Sequence, residues 1–351
     1  MMSSFIPGLE LSRTFYDQAV RPIVAGVTHS AALIGAGSEV LAFDTERSTD
    51  ADWGPRVVLF VPPERTERVR DALSQGLPEV FCGYRTGLGE PQGHRVQVVQ
   101  AAPWFTERLG FDPLRGVGVL DWLSTPWQRL AEVTGGEVFH DGLDVLEPVR
   151  AALRWYPPDL ERYVLAGQWR RLARQEAFPG RCGEVGDELG SALVTADLAR
   201  DLMCLLLLTR RRYPPYAKWL GSAFARLPGT AEAAEELAAA LSAGVRAGGW
   251  RERNRALGAV YRRAAALHDR MGRAAPPQRA APPQEGLREH HRRPLPLLQA
   301  GRFADDLQRA ITDDRVRSLP HVGSIDQFAH SSDLLCDPRR CRAATRAVLD
   351  L

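Results

Sequence analysis

The chain has 351 residues and a formal net charge of +2, with 44% apolar and 25% charged residues. These values are close to those of an average soluble globular protein, and they exclude a chain that is disordered throughout. The length allows two packed domains, and the near-neutral charge gives no overall electrostatic signal for a nucleic-acid partner.

The first 145 residues predict a domain built on a sheet. A helix at 9–20 is followed by short apolar segments at 31–34 and 57–61 and by an alternating segment at 94–100, all typical of strands. Helices are predicted at 64–75, 104–109 and 126–133, and a further strand at 137–140. This mixture of strands and helices favours an α/β or α+β domain.

From residue 146 the pattern becomes helical. Apolar residues recur at three-to-four spacing over 147–155, 158–176, 187–212, 216–226 and 231–244, which predicts a helical domain at 146–272. Two copies of Arg-Ala-Ala-Pro-Pro-Gln open a Pro-rich linker at 273–296, for which we expect extended backbone. Residues 297–351 predict a small helical C-terminal appendix, so the whole chain is predicted to be α+β.

No segment favours a membrane or a secreted protein. The opening residues lack a basic and then apolar signal pattern, and the most apolar run, 202–208, is far too short for a membrane span. The five cysteines are odd in number and lack the close paired spacing of a zinc site, which favours free thiols. These features predict a soluble cytoplasmic protein with no membrane partner.

The most informative stretch is 35–52, where a Gly-Ser turn precedes two aspartates. Gly37 and Ser38 are placed at the start of a short helical turn, where backbone N–H groups and a hydroxyl suit phosphate. Asp50 and Asp52 lie at or beside a strand, and residues two apart in a strand point to the same side. Two carboxylates at one spot suit Mg²⁺. The structural alternative is a helix cap and a solvated turn.

A Gly-Ser pair followed about a dozen residues later by Asp-x-Asp resembles the signature of the nucleotidyltransferase superfamily. The segments RWYPPDLERYVLAGQW, GRCGEVGDELGS and YPPYAKWLG resemble an uncharacterised bacterial family, a domain of unknown function grouped with those enzymes. The resemblance covers most of the chain, from about residue 5 to 328. It implies a nucleotidyltransferase-like mixed sheet domain followed by a helical domain, and it implies no particular reaction.

The sequence departs from that superfamily at one position. Its two-metal enzymes usually carry a third carboxylate on a later strand, whereas the 94–100 segment has Gln97 and no acid. The site then binds one metal, borrows an acid from the helical domain, or binds nucleotide without transferring it. Glu184, Asp187 and Glu188 are the acids to test, with Glu188 as a candidate general base. The simpler interpretation, acids stabilised at a helix start, is favoured.

Three basic residues are candidates for binding the triphosphate. Only one of the 45 Lys and Arg residues is a lysine, Lys218, which suggests that this position requires a compact ammonium group. We expect it to meet phosphate from the helical domain. Arg56 and Arg181 are weaker candidates for the same role, because exposed or paired structural arginines are common.

The predicted function is that of a nucleotidyltransferase-like protein that binds Mg²⁺ and an NTP, most naturally ATP. Its reaction would transfer a nucleotidyl group to a hydroxyl of a small molecule or a protein, mainly through positioning and charge stabilisation. The near-neutral charge favours such acceptors over nucleic acid. The alternative is a catalytically inactive module that binds nucleotide or a protein partner.

Overall fold

The computed structural model describes residues 5–49, 53–89, 93–272, 288–290 and 293–351. The chain is α+β, with a small mixed sheet and a helical C-terminal region. It divides into two compact units, each with its own core. The first unit comprises Met1–Asp121 with Gln128–Arg154, and the second comprises Trp122–Trp127 with Trp155–Leu351.

Over the described residues, the strands form one sheet of four strands and three two-stranded ribbons. In chain order they are β1 (Ser30–Leu33), β2 (Val57–Phe60), β3 (Val80–Phe81), β4 (Tyr84–Arg85), β5 (Gly87–Gly89), β6 (Gly93–His94), β7 (Val96–Val99), β8 (Glu137–Asp141), β9 (Arg288–His290) and β10 (Arg293–Leu297). The sheet order is β7-β2-β1-β8. Strands β2 and β7 are parallel, and the β1–β2 and β1–β8 pairs are antiparallel. The strands predicted at 31–34, 57–61, 94–100 and 137–140 are confirmed.

The α-helices described before residue 155 are α1 (Gly8–Phe15), α2 (Arg21–Val24), α3 (Thr66–Gly76), α4 (Ala101–Leu109), α5 (Val119–Ser124), α6 (Trp127–Thr134) and α7 (Leu146–Leu153). A π-helical segment, Tyr16–Val20, joins α1 to α2. Pro22 therefore falls in the first turn of a new helical segment, where its missing N–H is tolerated.

Both faces of the two central strands, β1 and β2, are buried, which explains why these strands read as apolar runs. Alternate residues on one face, such as Ala31, Leu59 and Val98, join a core with helix residues that include Phe15 and Leu73. On the other face Phe60 packs against Trp104 and Phe105 of α4, with ring centroids 5.3 and 6.0 Å apart. This double covering holds the end of β1 in a fixed position.

Gly136 joins α6 to β8 at a position that has no room for a side chain. Its φ is +59°, and a Cβ added there would lie 1.8 Å from the carbonyl oxygen of Leu33. We expect Gly136→Ala to lower the free energy of unfolding by about 2–4 kcal/mol, because backbone must move where β1 pairs with β8. Urea unfolding measures this. Gly83→Ala is the control: φ is +86° but nothing lies within 4 Å, so about 1 kcal/mol is expected.

The second unit is helical. Its remaining helices are α8 (Pro158–Gln175), α9 (Phe178–Glu184), α10 (Glu188–Thr209), α11 (Ala217–Ala225), α12 (Ala231–Ser242), α13 (Gly249–Arg270), α14 (Gly301–Arg309), α15 (Asp314–Arg317), α16 (Ile325–Phe328), α17 (Ser332–Leu335) and α18 (Pro338–Leu349). Helix α13 packs on α9, α10 and α12, while α8 packs on α10 and α14.

Residues after 297 are built into the core of this unit. Trp169 of α8 stacks on Phe303 of α14, with ring centroids 4.5 Å apart, and donates its indole N–H to His268 Nδ1 at 3.1 Å. The C-terminal segment is therefore packed against the central helix of the unit. All five cysteines are free, as predicted.

Most of the predicted Pro-rich linker lies outside the described residues, at 273–287 and 291–292. The rest of it contributes to the antiparallel ribbon of β9 and β10. Within the described parts of the chain, no helix combines the length and the apolar character needed to cross a membrane.

Candidate functional site

The glycine loop, residues 35–38, follows β1 directly and is exposed at Gly37. A 3₁₀ turn, Glu39–Leu41, begins after Ser38, which confirms the predicted helical turn at this point. Gly35 N–H donates to the Glu132 carbonyl at 2.9 Å, which ties the loop to α6. The φ angles of Gly35 and Gly37 are +91° and +143°, so both positions favour glycine.

Arg56 lies against the glycine loop. A Cβ added to Gly37 would be 2.5 Å from Arg56 Nη2 and 2.5 Å from Glu39 Oε1. Arg56 Nη2 and Glu39 Oε1 form an ion pair at 2.7 Å. The Nε atom of Arg56 is nevertheless buried with no hydrogen-bond partner among the described residues. The guanidinium thus retains donor capacity beside the loop.

A second arginine lies beside the loop at Gly35. Arg108 Nε would be 3.5 Å from a Cβ at Gly35, and its guanidinium lies 4.1 Å from the centre of the Trp104 ring. Burial lowers the pKa of Arg108, and the charges of Arg129 and Arg56 act in the same direction, against those of Glu107 and Glu132. Three arginines thus lie near the loop, and each pairs with a glutamate: Arg56 with Glu39, Arg108 with Glu107, and Arg129 with Glu132.

Asp50 and Asp52, the predicted metal ligands, lie outside the described residues. Trp53, which follows them, is buried between the rings of Phe5 and Tyr84, with centroids 5.6 and 4.9 Å away. It therefore has the core role that is usual for tryptophan. Across the described residues, no group of three His, Cys, Asp or Glu side chains is placed to hold a metal ion.

Gln97 lies on β7, the strand on which a two-metal enzyme of the superfamily would carry a third carboxylate. Strand β7 lies beside β2, with Gln97 opposite Val58, and the Gln97 side chain is exposed. The predicted strand is confirmed, and it presents an amide at this position. An amide oxygen is neutral and is a weaker ligand for Mg²⁺ than a carboxylate.

Glu188, the candidate general base, is buried at the start of α10 with both carboxylate oxygens engaged. Oε1 accepts from Gly248 N–H at 2.7 Å, and Oε2 accepts from Trp250 N–H at 3.0 Å and from the guanidinium of Arg253. These contacts join α10 to the start of α13. They favour the structural interpretation of an acid at a helix start, and the catalytic role stays a prediction.

Lys218 and Arg181, the two basic candidates that belong to the second unit, are exposed. The Lys218 ammonium, in the first turn of α11, lies 4.8 Å from the centre of the neighbouring Trp219 ring. The Arg181 guanidinium lies 5.8 Å from the centre of the Phe178 ring. The structure thus brings Gly37, Ser38 and Arg56 together in the first unit and places Lys218 and Arg181 in the second.

Sequence reasoning missed Arg108 and Glu39 at the glycine loop. Arg108 is 73 positions from Gly35 and reaches it only because α4 covers the sheet face next to the loop. Glu39 had a local signal, since it directly follows Ser38. An acid at that position places a carboxylate beside any anion that the loop holds.

Residues 122–220 match the family model of a domain of unknown function (DUF4037). This match covers 99 of the 351 residues and supports a relationship to an uncharacterised family. It includes Arg181, Glu188 and Lys218 but not the glycine loop. No curated protein and no solved structure matches the chain.

Proposed function

We propose that the first unit binds a nucleoside triphosphate, as a nucleotidyltransferase-like protein does, with the phosphates on the glycine loop. The observation that carries this proposal is the position of Arg56: its guanidinium lies beside Gly37, and its buried Nε atom has no hydrogen-bond partner among the described residues. Arginine presents its N–H groups in a planar fork that matches phosphate oxygens. Gly37 and Ser38 would add backbone N–H groups and a hydroxyl.

In this proposal Asp50 and Asp52 hold Mg²⁺, which would neutralise charge on the phosphates. This part rests on the spacing of the two aspartates in the sequence. In the proposed reaction an acceptor hydroxyl of a small molecule or a protein attacks the α-phosphorus in line. A new O–P bond forms, the bond between the α-phosphorus and the bridging oxygen breaks, pyrophosphate leaves, and the hydroxyl proton passes to a base.

The residues of the second unit carry less of the proposal. Lys218 and Arg181 are exposed and stay candidates for offsetting phosphate charge. Glu188 is a weaker candidate for the base, because its oxygens already accept hydrogen bonds from Gly248, Trp250 and Arg253.

A second candidate function is nucleotide binding without transfer, or binding of a protein partner. The observation that favours it is Gln97, which gives β7 an exposed amide where two-metal enzymes carry an acid. Pyrophosphate release in the presence of each NTP and Mg²⁺ separates an enzyme from a silent binder.

Two substitutions at the glycine loop should change nucleotide affinity in opposite directions. Arg56→Ala removes a donor to phosphate, so we expect the Kd for ATP to rise about tenfold or more. Glu39→Gln removes a carboxylate that competes for Arg56 and repels phosphate, so we expect the Kd to fall by about threefold to tenfold. Calorimetric titration with ATP and Mg²⁺ measures both.

The control is Arg68→Ala, at an exposed arginine on α3 in the same unit, which should leave the Kd for ATP unchanged.

Asp50→Asn with Asp52→Asn should abolish the Mg²⁺ dependence of ATP binding. If no NTP raises the melting temperature of the protein, with or without Mg²⁺, the proposal is wrong.

A further inference from the structure

The second unit contains a cavity of about 950 Å³ between α9, the start of α10 and α13. We call it the arginine cavity, because four arginines line it: Arg246, Arg251, Arg255 and Arg262. Its volume lies within the range of small-molecule sites, which is about 300–1,000 Å³. All of its lining residues belong to the second unit, whereas the glycine loop belongs to the first.

Helical spacing explains why these arginines converge. Residues 251, 254, 255 and 262 of α13 fall on one face, since they are separated by nearly whole turns of 3.6 residues. Arg251 and Arg262 are 11 residues apart, which corresponds to about 16 Å along the helix axis. Glu188 binds Gly248 N–H and Trp250 N–H, which fixes the start of α13 and therefore the direction of this face.

Positive charge dominates the lining. Two glutamates, Glu184 and Glu188, face the four arginines, and the charge of Glu188 is already balanced by the buried Arg253. Among the residues that the structure describes, Arg251 and Arg262 have no ion-pair partner in reach. A concave surface with unbalanced charge concentrates counter-ions, so the cavity favours an anionic ligand.

The other two arginines are paired only at the surface. Arg246 lies 3.7 Å from Glu252, and Arg255 lies 3.4 Å from Glu236, with arginine side chains 70% and 62% exposed. Exposed ion pairs contribute little to stability, so an anionic ligand can replace the glutamate as the partner of each guanidinium group. All four arginines are thus accessible to an anion.

We propose that the arginine cavity binds a small molecule that carries a linear chain of phosphate groups. A single phosphate would engage one or two of these guanidinium groups, whereas a phosphate chain reaches arginines spread over three turns of α13. Arg251 stacks on Trp250, with its guanidinium 4.5 Å from the ring centre. Stacking holds the plane of the guanidinium and leaves its N–H edge free to donate to phosphate oxygens.

The test is calorimetric titration of the full chain with sodium tripolyphosphate, ATP and AMP at low ionic strength. We expect tripolyphosphate and ATP to bind one molecule each in the cavity, and AMP to bind at least about tenfold more weakly. ATP binding more tightly than tripolyphosphate indicates a nucleotide ligand, and equal affinities indicate inorganic phosphate chains. The titrations are repeated on the Arg56→Ala variant, in which the proposed phosphate site at the glycine loop is weakened. Binding that persists in this variant is assigned to the arginine cavity, so the two proposals are tested separately.

The substitutions are Arg251→Gln with Arg262→Gln, which remove the charge and keep a polar side chain at two exposed positions. We expect them to weaken tripolyphosphate binding at least about tenfold, with an unchanged circular dichroism spectrum. Arg263→Gln is the matched control, because Arg263 lies on the same helix, pairs with Glu232 and does not line the cavity.

Three results would overturn the proposal. They are no binding of tripolyphosphate to the wild-type chain, an equal loss of binding in Arg263→Gln, or binding of single-stranded RNA or polyglutamate through Arg251 and Arg262 in place of tripolyphosphate.

Discussion

Replacement of Arg253 by methionine should lower the free energy of unfolding by about 3–5 kcal/mol, because it leaves a buried carboxylate without its cation. Arg253 is only 1% exposed. Its guanidinium binds the Glu188 carboxylate, donates to Ser191 Oγ at 3.0 Å and donates to the carbonyl of Ala243 at 3.1 Å. This one side chain therefore joins α10, the end of α12 and α13.

Urea unfolding followed by circular dichroism measures the effect, with Arg263→Met as the control. The Arg263 side chain is 47% exposed and forms a surface ion pair, so its replacement should cost less than about 1 kcal/mol. A double-mutant cycle with Glu188→Gln should show coupling of about 2 kcal/mol or more. A cost below about 1 kcal/mol for Arg253→Met would show that the buried pair does not stabilise the unit.

Asp326→Asn should become more stable relative to the wild type as pH rises, by about 2–4 kcal/mol between pH 5 and pH 8. Burial raises the pKa of Asp326 from 3.8 to about 7. Asp326 Oδ2 accepts a hydrogen bond from Trp127 N–H at 2.9 Å, and the buried Tyr156 hydroxyl is close enough to interact with its charge. Asparagine keeps the acceptor and removes the titration.

The direction of this pH dependence follows from the protons that the folded and unfolded chains bind. In the unfolded chain Asp326 loses its proton near pH 4, whereas the folded chain keeps it until about pH 7. The neutral carboxyl contributes its full stability below pH 4, and that contribution is lost as pH rises towards 7. The stability difference between the two proteins should therefore be constant below pH 4 and change as pH rises from about 4 to 7.

Asp159→Asn is a control with the opposite expectation. Burial acts to raise the pKa of Asp159, but hydrogen bonds from the Thr312 hydroxyl and from the backbone N–H groups of Asp313 and Thr312 hold it below 3.8. The stability that this carboxylate contributes is present above pH 4 and is lost as pH falls. Parallel pH curves for Asp326→Asn and the wild type would contradict the proposed titration of Asp326.

Secondary structure was predictable from the sequence where apolar residues form a short run or recur at helical spacing. The strands at 31–34 and 57–61 and the helices at 158–176 and 187–212 are present in the structure within a few residues. Helix α13 was not identified individually. Its arginines interrupt the apolar spacing, and one of them, Arg253, is buried because Glu188 neutralises it.

The candidate site was predictable where neighbours in sequence create it. The Gly-Ser pair after an apolar strand pointed to a loop that starts a helical turn, and the structure has that loop. Arg56 was identified only as one of several arginines, and its contact with Gly37 depends on how β2 lies beside β1. The roles of Asp50, Asp52 and Lys218 stay predictions.

The sequence by itself determined the α+β class, the sheet strands and the exposed glycine loop, because hydrophobic period and turn residues act over a few positions. Only the tertiary structure decided which charges meet. It placed Arg56 and Arg108 at the loop, buried Glu188 against Arg253, and turned four arginines towards one cavity. Such pairings join residues far apart in the chain, and their energies depend on burial and distance, which local sequence does not encode.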